Sequence, residues 1–325
     1  MLARIAQELF WLGRDLTRAE HTARILDGAF HADVAGVPGE RGIALSWEGV
    51  LATIGAKPPA PGQEEDTAVL DTRRLDRTEV ARLLTLDTDS PASVVSCVAR
   101  ARERGRTMRE VISTEMWEAL NSFYLLLGRY DLPAALQTGP YSFYQEVKER
   151  CALFWGLLDR TLLRDEGRAF LEAGGRIEEA DMVLRMLRVA IPGGAPEDGS
   201  ETEALALLHA VGGFQAYRRA VRVAPTVGPV VRFLLFESAY PGSVASSVHE
   251  LAAALEAADA QPRSSPPVLR LGRLIADLEL QRRAPDAGGG ALEQILERVQ
   301  DELELVDRDI DVRYFAIAAL AAVHL

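Results

Sequence analysis

The sequence has few of the residues on which metal sites and disulfide frameworks depend. Cys97 and Cys151 are the only cysteines in 325 residues, too few for a disulfide framework or a cysteine-based zinc site, and they suit a reducing compartment. The five histidines are widely spread and none follows a glutamate by three residues, so the Glu-x-x-His unit of di-iron bundles is absent. We therefore expect no metal and no cofactor.

Signatures of nucleotide, nucleic-acid and membrane binding are missing too. There is no Walker loop, no Rossmann glycine fingerprint and no Gly-x-Ser-x-Gly elbow. A net charge of −12 argues against nucleic-acid binding, which needs a basic field. The apolar stretch Tyr314–Val323 is shorter than the roughly 20 residues of a membrane span, and the first residues read as an amphipathic helix rather than a signal peptide. We expect a cytoplasmic protein with neither nucleic acid nor a membrane as partner.

Helical periodicity is present throughout, whereas alternating β-branched runs are nearly absent. In the first predicted helix, about Leu2 to Phe30, apolar residues such as Leu9, Leu12 and Leu16 recur at helical spacing. The pattern predicts an all-α protein. Further helices are predicted at Trp47–Ile54, Thr78–Leu86, from Pro91 onward, and at Tyr141–Leu163, Asp165–Ala190, Glu201–Ala220, Val227–Ala239, Ser243–Ala258, Val268–Arg282 and Ala291–Ala322, the last dividing near Asp307–Asp311.

Two segments of the first half recur in the second. At an offset of 161 residues, Gly13, Ala19, Arg24 and Leu26 match Gly174, Ala180, Arg185 and Leu187; at an offset of 150, Pro91, Ser93, Val94, Ser96 and Val98 match Pro241, Ser243, Val244, Ser246 and Val248. These matches predict an internal duplication: two related helical bundles, residues 1–131 and 132–325, joined near Leu132–Pro140. The second repeat covers about residues 141–260, and a C-terminal helical extension follows. Chance similarity between Ala/Leu-rich helices is the alternative.

Two helices concentrate arginine. The first carries Arg14, Arg18 and Arg24, and a later helix carries Arg102, Arg106 and Arg109. Because a guanidinium group pairs bidentately with carboxylate or phosphate, we expect these six residues to form one anion-binding arginine seam between the helices. The alternatives are a salt-bridge network between helices and a solvated charged face.

Three further residues are candidates for the site. Ser93 lies at a helix start, where backbone N–H groups can bind an anion, although plain helix capping explains it equally simply. Glu20 and Glu103 are the candidate catalytic acids or bases, because each lies among the arginines.

One pattern resembles a known family. It runs Leu2-x-Arg4-Ile5-Ala6-x-x-Leu9-x-Trp11-Leu12-Gly13-Arg14-x-x-x-Arg18-Ala19-Glu20-x-x-Ala23-Arg24 and continues through Ser90-Pro91-x-Ser93-Val94, Arg109-Glu110, Trp117, Asn121 and Ala180-Asp181. This pattern is similar to that of the alpha-E family and covers nearly the whole chain. The resemblance implies an all-helical fold and an association with a circularly permuted ATP-grasp protein, in a setting of amide or peptide bond formation.

The chain departs from the family pattern at four positions. Thr17 stands where a Glu is usual, Gly175 and Glu179 replace two arginines of the second copy, and Gly242 stands where an Arg is common after the proline. If the functional site of the family uses residues from both copies, the contribution of the second copy is weaker in this chain.

These observations together predict an accessory or partner subunit of an ATP-grasp amide or peptide ligase system. It would bind the ligase, or an anionic carboxylate, phosphate or peptide substrate, through the arginine seam. The alternatives are a stand-alone helical enzyme that acts on an amino-acid or peptide carboxylate, and a purely structural scaffold.

Overall fold

A computed structural model describes residues 1–34, 45–56, 77–131, 134, 140–191, 201–284 and 289–316. Within these ranges the chain is helical and contains no strand. The helices are α1 (Ala3–Val34), α2 (Trp47–Ile54), α3 (Arg77–Thr85), α4 (Val94–Thr107), α5 (Thr114–Leu127), α6 (Tyr141–Thr161), α7 (Glu166–Ala190), α8 (Glu201–Val211), α9 (Phe214–Ala220), α10 (Val227–Phe236), α11 (Val244–Ala258), a 3₁₀ turn (Pro262–Ser264), α12 (Pro266–Arg283), α13 (Gly289–Ile310) and a π-helical turn (Asp311–Phe315).

The all-α prediction is confirmed, with two local corrections. The predicted helix Glu201–Ala220 is broken because Gly212 takes a left-handed conformation, with φ of 69°. The predicted helix start at Pro91 is also wrong: Ser93 is the N-cap, and helical geometry begins at Val94. At the predicted division near Asp307–Asp311 the chain stays helical and changes to π-helical geometry after Ile310, while residues 317–322 of that predicted helix lie outside the described residues.

The centre of the fold is the crossing of α1 and α7. At this crossing neither helix has room for a side chain, since a Cβ on Gly13 would collide with the carbonyl oxygen of Leu171, and a Cβ on Gly174 with that of Phe10. Only glycine allows so close a backbone approach. The crossing therefore fixes how the remaining helices can pack.

Each of the two central helices takes partners from both halves of the chain. Helix α1 packs against α4 and α8, and α7 packs against α11 and α2. The buried apolar side chains form one continuous core. The predicted boundary between residues 131 and 132 stays a prediction, and the helices on its two sides share that core.

The C-terminal helices cover one side of the α1–α7 pair. Helix α13 packs on α7, and the π-helical turn packs on α1. Phe315 contacts Phe10 at a ring-centroid distance of 5.4 Å and Phe170 at 6.0 Å. No helix in the described ranges combines the length and the apolar character that a membrane crossing requires.

Candidate functional site

Two of the predicted arginines converge on one buried carboxylate. Arg14 Nε donates to Glu178 Oε2 at 2.9 Å, and Arg18 Nε donates to Glu178 Oε1 at 2.5 Å. Arg14 Nη1 also donates to both carboxylate oxygens of Asp307, at 2.8 and 3.0 Å. We call these four residues the paired site. It joins α1, α7 and α13.

The acidic and basic groups of the paired site are ionised. Burial alone would raise the pKa of Glu178, but the guanidinium groups of Arg18 and Arg14 outweigh burial and hold that pKa below its usual range. Burial opposes the charge of Arg14, yet Glu178 and Asp307 raise its pKa overall. The Glu178 carboxylate thus occupies the position that a carboxylate ligand of these arginines would need. Anion binding by Arg14 and Arg18 stays a prediction, and the geometry is that of a salt-bridge network.

The expected single seam requires a correction. Helix α4 faces α1 through Arg100 and Arg104, whose Nε atoms donate to Asp15 at 2.8 and 3.1 Å. Arg104 also donates to Glu8 at 2.8 Å. A residue two positions further along a helix points about 200° around its axis. For this reason Arg102 and Arg106 point away from the contact with α1, and Arg109 lies in the turn after α4.

Arg102 and Arg109 lie instead on the outer surface of α4 and α5, against aromatic rings. The guanidinium carbon of Arg109 lies 4.1 Å from the ring centre of Trp117, and that of Arg102 lies 4.8 Å from the ring centre of Tyr124. Arg102 Nε also donates to Asn121 Oδ1 at 2.8 Å. We call these five residues the arginine–aromatic face. Its Arg109 is exposed and forms no ion pair with any described residue.

Glu103, one of the two candidate acids, lies on the protein surface. It accepts hydrogen bonds from Arg102 at 2.7 Å and from Arg106 at 2.9 Å. The hydrogen bond from Arg106 lowers the pKa of Glu103. A general acid or base at neutral pH needs a pKa nearer 7, so the geometry gives no support to this role, which stays a prediction.

Ser93 is fully buried and caps α4. Its hydroxyl donates to the carbonyl oxygen of Asp87 at 2.6 Å and accepts from the N–H of Ser96 at 3.2 Å. Ser243 caps α11 in the same way, with the corresponding distances to Glu237 and Ser246 being 2.7 and 3.0 Å. Helix capping accounts for both serines.

An open cleft of about 370 Å³ is lined by residues of α1, α6, α7 and α8 and of the segment between α10 and α11. It contains two of the predicted site residues, Glu20 and Arg24. All four departures from the family pattern line it as well. The lining residues are Thr17, Glu20, His21, Arg24, Ala152, Trp155, Leu158, Asp159, Glu172, Gly175, Arg176, Glu179, Val211, Tyr240, Pro241 and Gly242.

The charged groups of the cleft form short local pairs. Arg24 Nη2 lies 2.7 Å from Glu20 Oε1. Arg176 contacts Glu179 Oε2 through Nη1 and Glu250 Oε2 through Nε, each at 2.7 Å. The described ranges contain no group of three or more His, Cys, Asp or Glu side chains that could hold a metal ion.

His21 is the buried polar group of the cleft. It is 7% exposed, and its Nε2 lies 3.9 Å from Glu179 Oε1, beyond hydrogen-bond distance. Burial lowers the pKa of His21 and prevails over the opposing effects of Glu179 and Glu20. The ring is therefore neutral at pH 7.

Aromatic rings occupy the space that larger side chains would need. A Cβ on Gly175 would lie 2.7 Å from Cη2 of Trp155, and a Cβ on Gly242 would lie 2.8 Å from the hydroxyl oxygen of Tyr240. Tyr240 donates that hydroxyl to the carbonyl oxygen of Val211 at 2.6 Å, and burial raises its pKa to about 12. The two glycines and the two rings together set the shape of the cleft.

Sequence reasoning missed the cleft as a site. His21, Trp155, Arg176 and Tyr240 do not stand out from the sequence as site residues. One signal could have found the cleft: at the 161-residue offset Thr17, Gly175 and Glu179 correspond to Glu178, Arg14 and Arg18.

Comparison with known proteins agrees with this architecture. The model of the Alpha-E family, described as a predicted alpha-helical domain with a conserved ER motif, matches residues 1–315. The chain belongs to the Alpha-E family. No curated protein and no solved structure gives a significant match.

Proposed function

We propose that this Alpha-E protein is an accessory subunit of an ATP-grasp amide or peptide ligase system, and that it docks its partner through the arginine–aromatic face. The observation that carries the proposal is the state of Arg109. Arg109 is exposed, its guanidinium carbon lies 4.1 Å from the ring centre of Trp117, and it forms no ion pair with a described carboxylate. A stacked guanidinium group keeps its N–H edges free for the carboxylates or carbonyls of a partner.

The composition of the face supports docking to a protein. Trp, Tyr and Arg are the residue types that dominate the energetic centres of protein interfaces. Here Trp117 and Tyr124 are half-buried beneath two arginines, and Leu125, half exposed, lies beside them on α5. The rings are already held by their neighbours, which lowers the entropy cost of binding.

A scaffold role is the second candidate, and the paired site favours it. Arg14 donates to Glu178 and Asp307, and Arg18 Nε donates to Glu178; the two carboxylates lie on two other helices. Such a network fixes the geometry of the helices rather than recognising a ligand. On this view α1, α7 and α13 form the rigid base on which α4 and α5 present their outer face.

We also propose that the two halves arose by duplication. The glycines of the α1–α7 crossing, Gly13 and Gly174, are 161 positions apart, and each faces the carbonyl of the residue three positions before the other. The ion pair of Glu20 with Arg24 recurs between Asp181 and Arg185, 161 positions later and at the same distance of 2.7 Å.

Further contacts support the duplication. Arg24 approaches the left-handed Gly212 after α8, and Arg185 approaches the left-handed Gly55 after α2. The pair Asp15–Arg100, at 2.8 Å, corresponds to Arg176–Glu250, at 2.7 Å, with the two charges exchanged. Exchange of both charges preserves the attraction, as expected for two diverged copies.

The test of the docking proposal is co-purification of the full chain with a circularly permuted ATP-grasp protein from the same host. Arg109→Ala and Trp117→Ala should each weaken the complex roughly thirtyfold. Arg263→Ala is the matched control, because Arg263 is also exposed and lies far along the chain, within the 3₁₀ turn. Equal retention of the partner by all three variants would contradict docking through this face.

A further inference from the structure

We propose that the open cleft between α1, α6 and α7 binds a small molecule through a primary ammonium group, held by Glu20, Glu179 and His21 against the ring of Trp155. The site is separate from the arginine–aromatic face. The proposal therefore does not rest on the docking function.

The charge of the cleft favours a cation. Four carboxylates line it, from Glu20, Asp159, Glu172 and Glu179, against the two guanidinium groups of Arg24 and Arg176. With His21 neutral, the lining carries an excess of two negative charges. The arginines are not available for an anion, because Arg24 is paired with Glu20 and Arg176 with two glutamates.

Two carboxylate oxygens of the cleft lack hydrogen-bond donors. Glu20 uses Oε1 for Arg24, and its Oε2 has no partner among the described residues. Glu179 uses Oε2 for Arg176, while its Oε1 faces His21 without a hydrogen bond. An ammonium group brings three donors and no acceptor, which matches this set of unfilled acceptors.

His21 supplies the third acceptor. It lines the cleft, is more than nine-tenths buried, and forms no hydrogen bond with any part of the chain that the structure describes. Since the ring lines the open cleft without a hydrogen bond to the described chain, a ring nitrogen is available to accept from a ligand there. The charged groups that act on it are Glu179, Glu20, Arg24 and Glu178.

The aromatic and apolar residues that line the cleft indicate the chemistry of the rest of the ligand. Trp155 offers an aromatic face, which attracts a cation and packs against a flat apolar group. Ala152, Leu158, Val211 and Pro241 add apolar surface. A volume of about 370 Å³ lies near the lower end of ligand pockets, so the cleft suits a primary amine with a short aromatic or alkyl tail.

The test compares three probes of one shape on the full chain by calorimetry and ligand-observed NMR at neutral pH: phenethylamine, 2-phenylethanol and 3-phenylpropionate. We expect saturable binding of phenethylamine, about tenfold or more tighter than that of the alcohol, and no binding of the carboxylate. The indole N–H signal of Trp155 should shift with the amine alone. This readout needs no substitution.

Variants identify the contacts. Glu179→Gln and Glu20→Gln should each weaken phenethylamine binding by about tenfold, and His21→Leu should weaken it by a smaller factor. The control is Glu297→Gln, a substitution of the same size at an exposed site on α13. Binding of 3-phenylpropionate as tight as that of the amine would overturn the proposal, and so would unchanged amine affinity in a folded Glu179→Gln protein.

Discussion

The paired site and the open cleft occupy corresponding positions on the two central helices and differ in almost every physical property. In the paired site Arg14 and Arg18 meet Glu178. The positions related by the 161-residue offset are Gly175, Glu179 and Thr17 in the cleft. The cleft therefore has neither the two arginines nor the glutamate of the paired site at the corresponding positions. Loss of one partner alone would leave a buried charge without compensation, so the difference teaches that such a network stabilises the fold only when all its partners are present.

The covering helices differ as well. Helix α13 lies over the paired site, where Asp307 contacts Arg14 and Gln300 Nε2 donates to Asp181 at 2.6 Å. Helix α6 borders the cleft through Trp155 and Leu158, and the cleft stays open to solvent. The paired site is covered by α13, whereas the cleft is open.

Removal of the shared carboxylate should have the largest effect. Glu178→Ala leaves Arg14 and Arg18 buried with only Asp307 as a partner, so we expect the free energy of unfolding to fall by about 3–5 kcal/mol. Thr17→Ala, at the corresponding position of the cleft, should change it by about 1 kcal/mol or less. Urea denaturation of both variants measures the contrast, and equal losses would remove the distinction between the two sites.

Introducing the charged residues of the paired site into the cleft should have the next largest effect on the free energy of unfolding. Thr17→Glu adds a carboxylate to a lining that is already negative, and we expect a loss of roughly 1–3 kcal/mol. Adding Glu179→Arg to that variant should recover at least about 1 kcal/mol, since the new charges attract. A double-mutant cycle by thermal or urea unfolding gives the coupling. A coupling energy of zero would mean that positions 17 and 179 do not interact as Glu178 and Arg18 do in the paired site.

The paired site also predicts how stability depends on pH. The pKa of Glu178 is lowered in the folded protein, so its stabilising effect is fully present above the unfolded pKa of about 4.3 and is lost as the pH falls through the lower folded value. Glu178→Gln removes this titration. The difference in unfolding free energy between wild type and Glu178→Gln should therefore shrink as the pH falls below about 4. A difference that is constant with pH would show that Glu178 is not held ionised.

The smallest effect is expected at the rim of the paired site. Asp307 is about one-third exposed, and Arg14 keeps its bond to Glu178 when Asp307 is replaced. Asp307→Asn should therefore cost about 1 kcal/mol or less, because solvent screens the pair. Hydrogen exchange in α13 is the sensitive measurement. Faster exchange limited to that helix is expected, whereas exchange spread through α1 would contradict a rim position.

The sequence predicted the helices well because helix signals are local. The glycines at the α1–α7 crossing and the matched serine caps stand out in the repeat offsets, and the bounds of α2 agree with the prediction residue for residue. The break at Gly212 was missed, since it depends on one backbone conformation inside an otherwise helical pattern.

The site was harder to predict than the fold. The spacing of Arg14 and Arg18 marks one face of a helix, but it carries no information about Glu178, which lies 160 positions or more away along the chain. The same spacing in α4 made Arg102 and Arg106 look like partners of α1, whereas the rotation of that helix turns Arg100 and Arg104 inward. Tertiary packing decides which arginines are neutralised.

The contrast between the two sites is tested most directly by a crystal structure of the full chain grown with phenethylamine. We predict density for the amine in the cleft, with its nitrogen between Glu20 and Glu179 and its ring on Trp155, while Arg14 and Arg18 keep their bonds to Glu178. Density for the amine beside Glu178, or an empty cleft under conditions where calorimetry shows saturation, would contradict this account.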